Sequence, residues 1–95
     1  MTTGVNNFEW ALTQLKAGKR IFRTGWNGRE QFVTLQAGHP QGVELDDRTA
    51  TAVGLPSGTV AQFAPWLLFK TSDNIFLPWV VSQADLLAED WDTYN

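Results

Sequence analysis

The first sustained pattern of apolar residues in the chain has the period of an α-helix. Spaced i, i+3, i+4 and i+7, these residues share one helical stripe and are Phe8, Ala11, Leu12 and Leu15. Asn7 is a suitable N-cap because its side-chain oxygen can accept a hydrogen bond from the first turn. Gly18 is a suitable stop signal because it tolerates a positive φ. We predict a helix over residues 7–17.

A β-hairpin is predicted after this helix. Residues 19–24 and 32–36 alternate between apolar and polar side chains, as half-buried strands do. Between them lies Gly25-Trp26-Asn27-Gly28, whose glycines and asparagine tolerate turn conformations. We expect a hairpin over residues 20–36 whose connection carries Trp26 at its tip.

The segment from residue 37 to residue 59 has no sustained period. It contains four glycines, two prolines and the polar run Glu44-Leu45-Asp46-Asp47-Arg48. This composition predicts a long loop with room for one turn of helix. Structureless loops above about 12–15 residues are usually functional or disordered, so a lid and a subunit contact are both open interpretations.

A second hairpin is predicted in the last third of the chain. The apolar runs at residues 66–70 and 75–77 flank the polar turn Thr71-Ser72-Asp73-Asn74. Pro78 cannot donate to a sheet ladder, so it either ends the second strand or lies on a sheet edge.

The C-terminal part predicts a short helix and a last strand. Ser82-Gln83-Ala84-Asp85 fits a capping-box pattern and would open a helix that runs to about Ala88. Residues 91–94 can add a strand. The predicted fold class is α+β, with an N-terminal helix packed on an antiparallel β-sheet and a short C-terminal helix.

Composition supports one small folded domain. At 95 residues and 10.6 kDa, we expect a single domain over residues 1–95. Hydrophobic residues make up 43% of the chain, which is enough for a core, and the absence of cysteine excludes thiol chemistry. A core of this size supplies only about 3–5 kcal/mol, so we expect a homo-oligomer.

Charge and hydropathy exclude several other classes of protein. Ten acidic residues against seven basic ones give a net charge of −3, which argues against a DNA- or RNA-binding surface. No window approaches the roughly 20 apolar residues of a membrane span, and the first residues do not resemble a signal peptide. We therefore expect a cytoplasmic protein without membrane contact.

Groups that can carry catalysis are few. His39, the single histidine, has no metal-ligand spacing around it, so we interpret it as a surface residue, with a ligand contact as the alternative. The C-terminal segment carries an acidic cluster of Asp85, Glu89, Asp90 and Asp92. Asp85 and Glu89 can share a helix face and hold a hard cation, but we favour a solvated acidic face as the explanation. Neither a Walker A motif nor a G-x-G-x-x-G fingerprint occurs. We expect no catalytic residue, no metal and no cofactor.

The aromatic content instead favours recognition of a small polar aromatic ligand. Trp26, Trp79 and Trp91 each lie at the edge of a predicted element beside polar residues, where they can stack on a base. The alternative for each tryptophan is an anchor of the core or of a subunit interface. Asn27 can equally be only a turn residue. Cations in or near the hairpins that can contact phosphate are Arg20, Arg23, Arg29 and Lys70.

Two blocks of residues resemble a known family. The first block contains Phe8-Glu9-Trp10-Ala11-Leu12, Leu15-Lys16-Ala17-Gly18-Lys19-Arg20, Arg23-Thr24-Gly25-Trp26-Asn27-Gly28 and Phe32. The second block contains Phe69-Lys70-Thr71-Ser72-Asp73, Pro78-Trp79 and Ser82-Gln83-Ala84-Asp85-Leu86-Leu87-Ala88-Glu89-Asp90-Trp91. In this order the blocks resemble the Thoeris anti-defence proteins, type two, a family of small phage and prophage proteins.

The resemblance implies a sponge for signalling molecules. Members of the family bind cyclic derivatives of ADP-ribose, such as glycocyclic ADP-ribose, which TIR-domain enzymes of the Thoeris system make after infection. They hold these molecules without cleaving them, so that the effector is not activated in the cytoplasm of the infected host. Some members are implied to bind cyclic dinucleotides at a second kind of site. The resemblance further implies a homotetramer with pockets between subunits.

Site residues follow from the resemblance by position. Trp26 would stack on a base, and Asn27 would bond to a ribose or to the edge of a base. A cluster of Arg20, Arg23 and Lys70 would attract the anionic ligand despite the negative net charge. The full expected ligand-binding set is Trp26, Asn27, Gly28, Arg23, Lys70, Thr71, Asp73, Trp79, Gln83 and Asp85.

Two other functions stay open at this point. An enzyme that degrades a cyclic nucleotide would need a base and a water activator, for which Asp85 and His39 are the available groups. A small protein-interaction module would use the tryptophans as interface hot spots. The residues themselves favour a binding protein over an enzyme.

Overall fold

The structure is a computed structural model that describes residues 6–94. Its elements are α1 (Phe8–Lys16), β1 (Arg20–Arg23), β2 (Phe32–Gln36), β3 (His39–Glu44), α2 (Asp47–Val53), β4 (Val60–Phe63), β5 (Trp66–Lys70), β6 (Phe76–Pro78), α3 (Gln83–Leu86) and β7 (Trp91–Tyr94). The chain forms two compact units. We call Met1–Gln36 with Leu67–Asn95 the helix–sheet unit and Ala37–Trp66 the inserted unit. The expectation of a single domain over residues 1–95 stays a prediction.

Helix α1 begins and ends where its capping signals predict. The side chain of Asn7 accepts a hydrogen bond from the backbone N–H of Trp10, which satisfies one free donor of the first turn. Gly18, just beyond the C-cap, has a φ of +86°. Ala11 and Leu15 are fully buried on the predicted apolar stripe, so the predicted helix is confirmed.

The helix–sheet unit is built on a five-stranded sheet with the strand order β6-β5-β2-β1-β7. Strand β1 pairs antiparallel with β2, where Ile21 faces Val33, and with β7, where Arg23 faces Trp91. Because side chains alternate along a strand, Ile21, Val33 and Trp91 share one face of the sheet. Together with Ala11 and Leu15 they form the buried core, so α1 packs on this face. The predicted α+β fold class and the first hairpin are confirmed.

Pro78 lies on the sheet edge, one of the two positions expected for it. It is the last residue of β6, an edge strand, and it faces Leu68 on β5. The residues that flank β6 turn their backbone groups toward β5: Thr71 N donates to the carbonyl oxygen of Ile75, and Trp79 N donates to that of Leu67. At the alternate residues, of which Pro78 is one, the backbone groups point away from β5. The missing N–H of Pro78 therefore costs the sheet no hydrogen bond.

The predicted long loop over residues 37–59 is wrong. In the inserted unit β3 pairs antiparallel with β4, and α2 lies between them in sequence. Asp46 caps α2 by accepting a hydrogen bond from Thr49 N, and Gly54 ends it at a φ of +76°. The alternation of β3 is hidden because its register shifts between His39 and Val43. Helix α2 is only seven residues long, too short to show a helical period.

The C-terminal elements are close to the predicted ones. Ser82 accepts a hydrogen bond from Asp85 N and opens α3, but this helix ends at Leu86 rather than near Ala88. The strand predicted at residues 91–94 is β7. Within residues 6–94, no helix has the length and apolar character needed to cross a bilayer.

Candidate functional site

A cavity of about 310 Å³ opens in the helix–sheet unit beside the connection between β1 and β2. It is lined by Trp26, Asn27, Gly28, Gln31, Phe69, Trp79 and Asp85. Those residues come from the connection, from β5, from the end of the second hairpin and from α3. We call this cavity the tryptophan pocket. Its volume lies near the lower end of the range of about 300–1,000 Å³ that is typical of small-molecule sites.

The aromatic walls of the tryptophan pocket are fixed by the core. Trp91 is 1% exposed and contacts Trp26 and Trp79 in edge-to-face geometry, with ring centroids 5.5 Å and 5.9 Å apart. Trp26 also meets Phe69 edge to face at 5.6 Å. Because edge-to-face pairs are favourable and Trp91 is buried, the two outer tryptophans have little freedom to rotate. The pocket is therefore largely preformed.

The turn that carries Trp26 is held by Asp90. The backbone N–H of Gly25 donates to Asp90 Oδ2 at 2.9 Å, and the N–H of Thr24 donates to the Asp90 carbonyl oxygen at 2.9 Å. A Cβ atom on Gly25 would lie 2.9 Å from Asp90 Oδ2, which is closer than such atoms approach. A side chain at position 25 would therefore displace the carboxylate of Asp90 from this position.

An ion-pair network connects this turn to the pocket. Arg23 donates through Nε to Asp90 Oδ1 at 2.7 Å and through Nη1 to Asp85 Oδ1 at 2.9 Å. Trp26 Nε1 lies 3.5 Å from the same Asp85 oxygen, at the long limit of a hydrogen bond. Within residues 6–94, the hydrogen bonds found for the Asp85 carboxylate all involve Oδ1. Oδ2 is left to accept a hydrogen bond from a ligand donor.

The hydrogen bonds of this network favour the charged forms of Arg23 and Asp90. The hydrogen bond from Arg23 holds the pKa of Asp90 below its ordinary value of 3.8, and the N–H of Gly25 acts in the same direction. Hydrogen bonds to Asp90 and Asp85 raise the pKa of Arg23. Arg23 and Asp90 are therefore both ionised at neutral pH.

A pH dependence of stability follows from the lowered pKa of Asp90. The ionised carboxylate stabilises the fold above its ordinary pKa of 3.8, the value in the unfolded chain, and this contribution is lost as the pH falls through the lower folded-state pKa. We expect Asp90→Asn to lower the free energy of unfolding at neutral pH. The difference from the wild type should shrink below about pH 4. Urea unfolding of both proteins at a series of pH values measures this difference in the free energy of unfolding.

Asp92→Asn is the matched control for this experiment. Asp92 is exposed and its side chain accepts only from the adjacent Thr93 N–H among the hydrogen bonds within residues 6–94, so the variant removes the same charge without breaking the Arg23 network. A stability difference for Asp90→Asn that stays constant down to about pH 2.5 would contradict the prediction.

The structure brings together five of the residues expected from the sequence. Trp26, Asn27, Gly28, Trp79 and Asp85 line the tryptophan pocket. Their role in binding stays a prediction, but their convergence from three segments of the chain gives that prediction a physical site.

Four other expected residues do not line the pocket. Lys70 Nζ donates to the carbonyl oxygens of Glu30 and Thr71 at 2.8 Å and 3.2 Å. Thr71 Oγ1 accepts from Ile75 N and so stabilises its own turn, where Asp73 is exposed. Gln83 is exposed at the start of α3.

The three cations expected to form one cluster are divided. Arg20 lies over the rings of Phe32 and Tyr94, with its Cζ atom 5.2 Å and 5.1 Å from the two ring centroids. Lys70 Nζ lies 5.5 Å from the Phe32 centroid. Arg23 is three residues from Arg20 on the same strand and therefore faces the opposite side of the sheet. Of these three cations, Arg23 forms an ion pair with a residue of the pocket, Asp85.

Sequence reasoning missed three residues of the site. Phe69 is two positions from Leu67 on β5, so strand alternation alone could have placed it on the core face. Gln31 carries no motif signal. Asp90 carries no local sequence signal of its role, because its pairing with Arg23 spans 67 positions of sequence.

A second cavity, of about 350 Å³, shares walls with the tryptophan pocket. Trp26, Gly28 and Gln31 line both, and Arg29 and Tyr94 line only the second. This arrangement puts a cation, Arg29, close to the pocket but outside it.

Comparisons with known proteins identify the family of the chain. Residues 6–94 match the family model described as Thoeris anti-defense 2-like domain. The Thoeris anti-defense 2 protein of Bacillus phage SP01 is 37% identical over 89 residues, which cover 90% of this chain and 91% of that protein. The family model and the relative both span the residues that build the tryptophan pocket. The chain belongs to the Thoeris anti-defense 2-like family.

Proposed function

We propose that this protein counters the Thoeris defence by sequestering a cyclic ADP-ribose signal in the tryptophan pocket without cleaving it. In this proposal the ligand is glycocyclic ADP-ribose, made by a TIR-domain enzyme in the cytoplasm of the infected host. The observation that carries the proposal is a preformed aromatic pocket that contains one carboxylate oxygen still free to accept a hydrogen bond. Family membership supports the anti-defence role.

The lining of the pocket suits a nucleoside. A base can stack on Trp26 or Trp79, and stacking on an aromatic side chain is worth about 1–3 kcal/mol per base. A ribose hydroxyl can donate to Asp85 Oδ2, while the Asn27 amide can bond to the edge of the base. The phosphates of the ligand must avoid Asp85, so we assign them to the second cavity. Arg29 and Arg23 both line that cavity, and we take Arg29 as the phosphate contact because the charge of Arg23 is already paired.

The same geometry supports retention of the ligand rather than cleavage. Hydrolysis needs a group that can take a proton from water. The hydrogen bond from Arg23 holds the pKa of Asp90 below its ordinary value, which weakens Asp90 as a base. Asp85 already accepts a hydrogen bond from Arg23 through Oδ1. His39, the other candidate base, belongs to the inserted unit, where its ring lies 6.1 Å from that of Phe63. Sequestration requires no such group.

We further propose a homotetramer with pockets between subunits. A cyclic nucleotide with two riboses and a diphosphate is large for a cavity of about 310 Å³, so a second subunit can supply the missing wall. Large apolar side chains on and near β6 and α3 are exposed and available for assembly: Ile75 (60%), Phe76 (63%), Val80 (87%) and Leu87 (75%). A cyclic dinucleotide is the second ligand class that we propose to test.

Native mass spectrometry tests the proposed function directly. The purified protein is mixed with glycocyclic ADP-ribose or with a cyclic dinucleotide, and the bound molecule is then released by heat and identified. We expect a tetramer that carries unmodified glycocyclic ADP-ribose. Recovery of a cleaved molecule would indicate the cyclic-nucleotide-degrading enzyme. A protein that binds neither ligand would favour the protein-interaction module, and a monomer would contradict the proposed assembly.

A further inference from the structure

We infer that Asp90 is a positioning residue for the tryptophan pocket, acting through Arg23 on Asp85 and through Gly25 on Trp26. Asp90 does not line the pocket, and both of its carboxylate oxygens are already used. This inference rests on the proposed function in one respect, since its effect on ligand affinity presupposes that Asp85 contacts the ligand.

The first part of the argument concerns the turn. Asp90 holds residues 24 and 25 with two hydrogen bonds of 2.9 Å, one from Thr24 N to its carbonyl oxygen and one from Gly25 N to Oδ2. Asp90 also immediately precedes Trp91, which contacts the ring of Trp26. The backbone next to Trp26 and the ring of Trp26 are thus fixed by two adjacent residues. Few rotations of Trp26 remain that keep both sets of contacts.

The second part concerns the carboxylate that faces the ligand. Asp90 Oδ1 accepts from Arg23 Nε at 2.7 Å, which orients the planar guanidinium so that Nη1 reaches Asp85 Oδ1 at 2.9 Å. Trp91 Nε1 meanwhile donates to the backbone carbonyl of Asp85 at 3.1 Å. Both the backbone and one carboxylate oxygen of Asp85 are therefore fixed. Its second oxygen, for which no hydrogen bond is found within residues 6–94, is thereby held in one orientation on a residue that lines the pocket.

The consequence is a pocket that selects hydrogen-bond donors. While Asp90 holds Arg23, the guanidinium is neutralised and Asp85 Oδ2 is the charged group available to a ligand. Without Asp90, Arg23 can rotate and either cover Asp85 or offer its charge to a phosphate. Asp90 thereby favours a ribose hydroxyl or an amine over an anionic group at this wall, because buried acceptors left without donors are costly.

A double-mutant cycle separates positioning from a general loss of structure. Calorimetry with glycocyclic ADP-ribose is applied to the wild type, Asp90→Asn, Asp85→Asn and the double variant. We expect Asp90→Asn to weaken affinity about tenfold in the wild-type background, the size of one charge-assisted hydrogen bond. In the Asp85→Asn background the same change should have much less effect, because the carboxylate that Asp90 positions is absent. Asp92→Asn removes an equal charge in the same segment and should bind as the wild type does.

A ligand-free measurement keeps the inference testable on its own. In proton–nitrogen correlation spectra, the indole N–H of Trp26 reports on its approach to Asp85 Oδ1. We expect Asp90→Asn to shift or split this signal, Asp92→Asn to leave it unchanged, and the fold to be retained by both. An unchanged Trp26 signal, or an equal loss of affinity in both backgrounds, would overturn the inference. If the wild type binds no tested nucleotide, the proposed function fails while the Trp26 signal still decides the positioning role.

Discussion

Replacement of Trp26 by alanine is expected to weaken binding of glycocyclic ADP-ribose between about fivefold and 150-fold, the range that corresponds to the loss of one aromatic stacking platform. The upper part of this range is expected because Trp26 also supports neighbouring side chains. Its ring meets Phe69 and Trp91 edge to face, and its Nε1 approaches Asp85. Truncation therefore removes the wall that Trp26 forms and loosens the neighbouring wall, which Phe69 forms. Calorimetry gives the affinity, and circular dichroism checks that the variant is folded.

Two variants show whether this loss is specific. Trp66→Ala truncates a tryptophan that is 41% exposed and absent from the lining of the pocket, and it should leave the affinity unchanged. Trp26→Phe keeps an aromatic face but removes the indole N–H, so its affinity should fall between the two alanine variants. A folded Trp26→Ala protein with wild-type affinity would show that the ligand does not stack in this pocket.

Local signals in the sequence were sufficient for most of the fold. Asn7 and Ser82 are caps whose bonding partners lie three residues away. Alternation predicted β1 and β2, and short apolar runs predicted β5 and β6. The inserted unit could not be predicted in this way. Its strand β3 contains a register shift, and its helix is held by Asp46 and Gly54 at its ends rather than by an apolar stripe.

The site was predictable in its residue types but not in its charge pairing. The Gly25-Trp26-Asn27-Gly28 turn and the Trp79 and Asp85 positions have visible sequence signals, and they meet in one pocket. The partners of Arg23 lie 62 and 67 positions away, so no local pattern indicates that its charge is already satisfied. A cation counted as a phosphate ligand from sequence is in the structure a support for the carboxylate of Asp85.

The core residue Trp91 joins fold and site so closely that its loss should affect both. It is 1% exposed, packs against Phe8, Trp26 and Trp79, and donates its indole N–H to the Asp85 carbonyl. Truncation of a buried tryptophan to alanine costs about 3–5 kcal/mol, which is comparable with the entire stability expected of so small a core. We expect Trp91→Ala to be largely unfolded as an isolated protein in water.

Trp91→Phe distinguishes the contribution of Trp91 to the core from its contribution to the pocket. It keeps a ring in the core, removes the donor to Asp85 and leaves a small void, so the free energy of unfolding should fall by only about 1–2 kcal/mol. Urea unfolding measures this loss, and Trp10→Ala, a half-buried tryptophan on α1, is the control for truncation at the core margin. If Trp91→Ala is as stable as Trp10→Ala, Trp91 does not hold the core. If Trp91→Phe is folded but binds weakly, the indole N–H to Asp85 is part of what presents this carboxylate to the ligand.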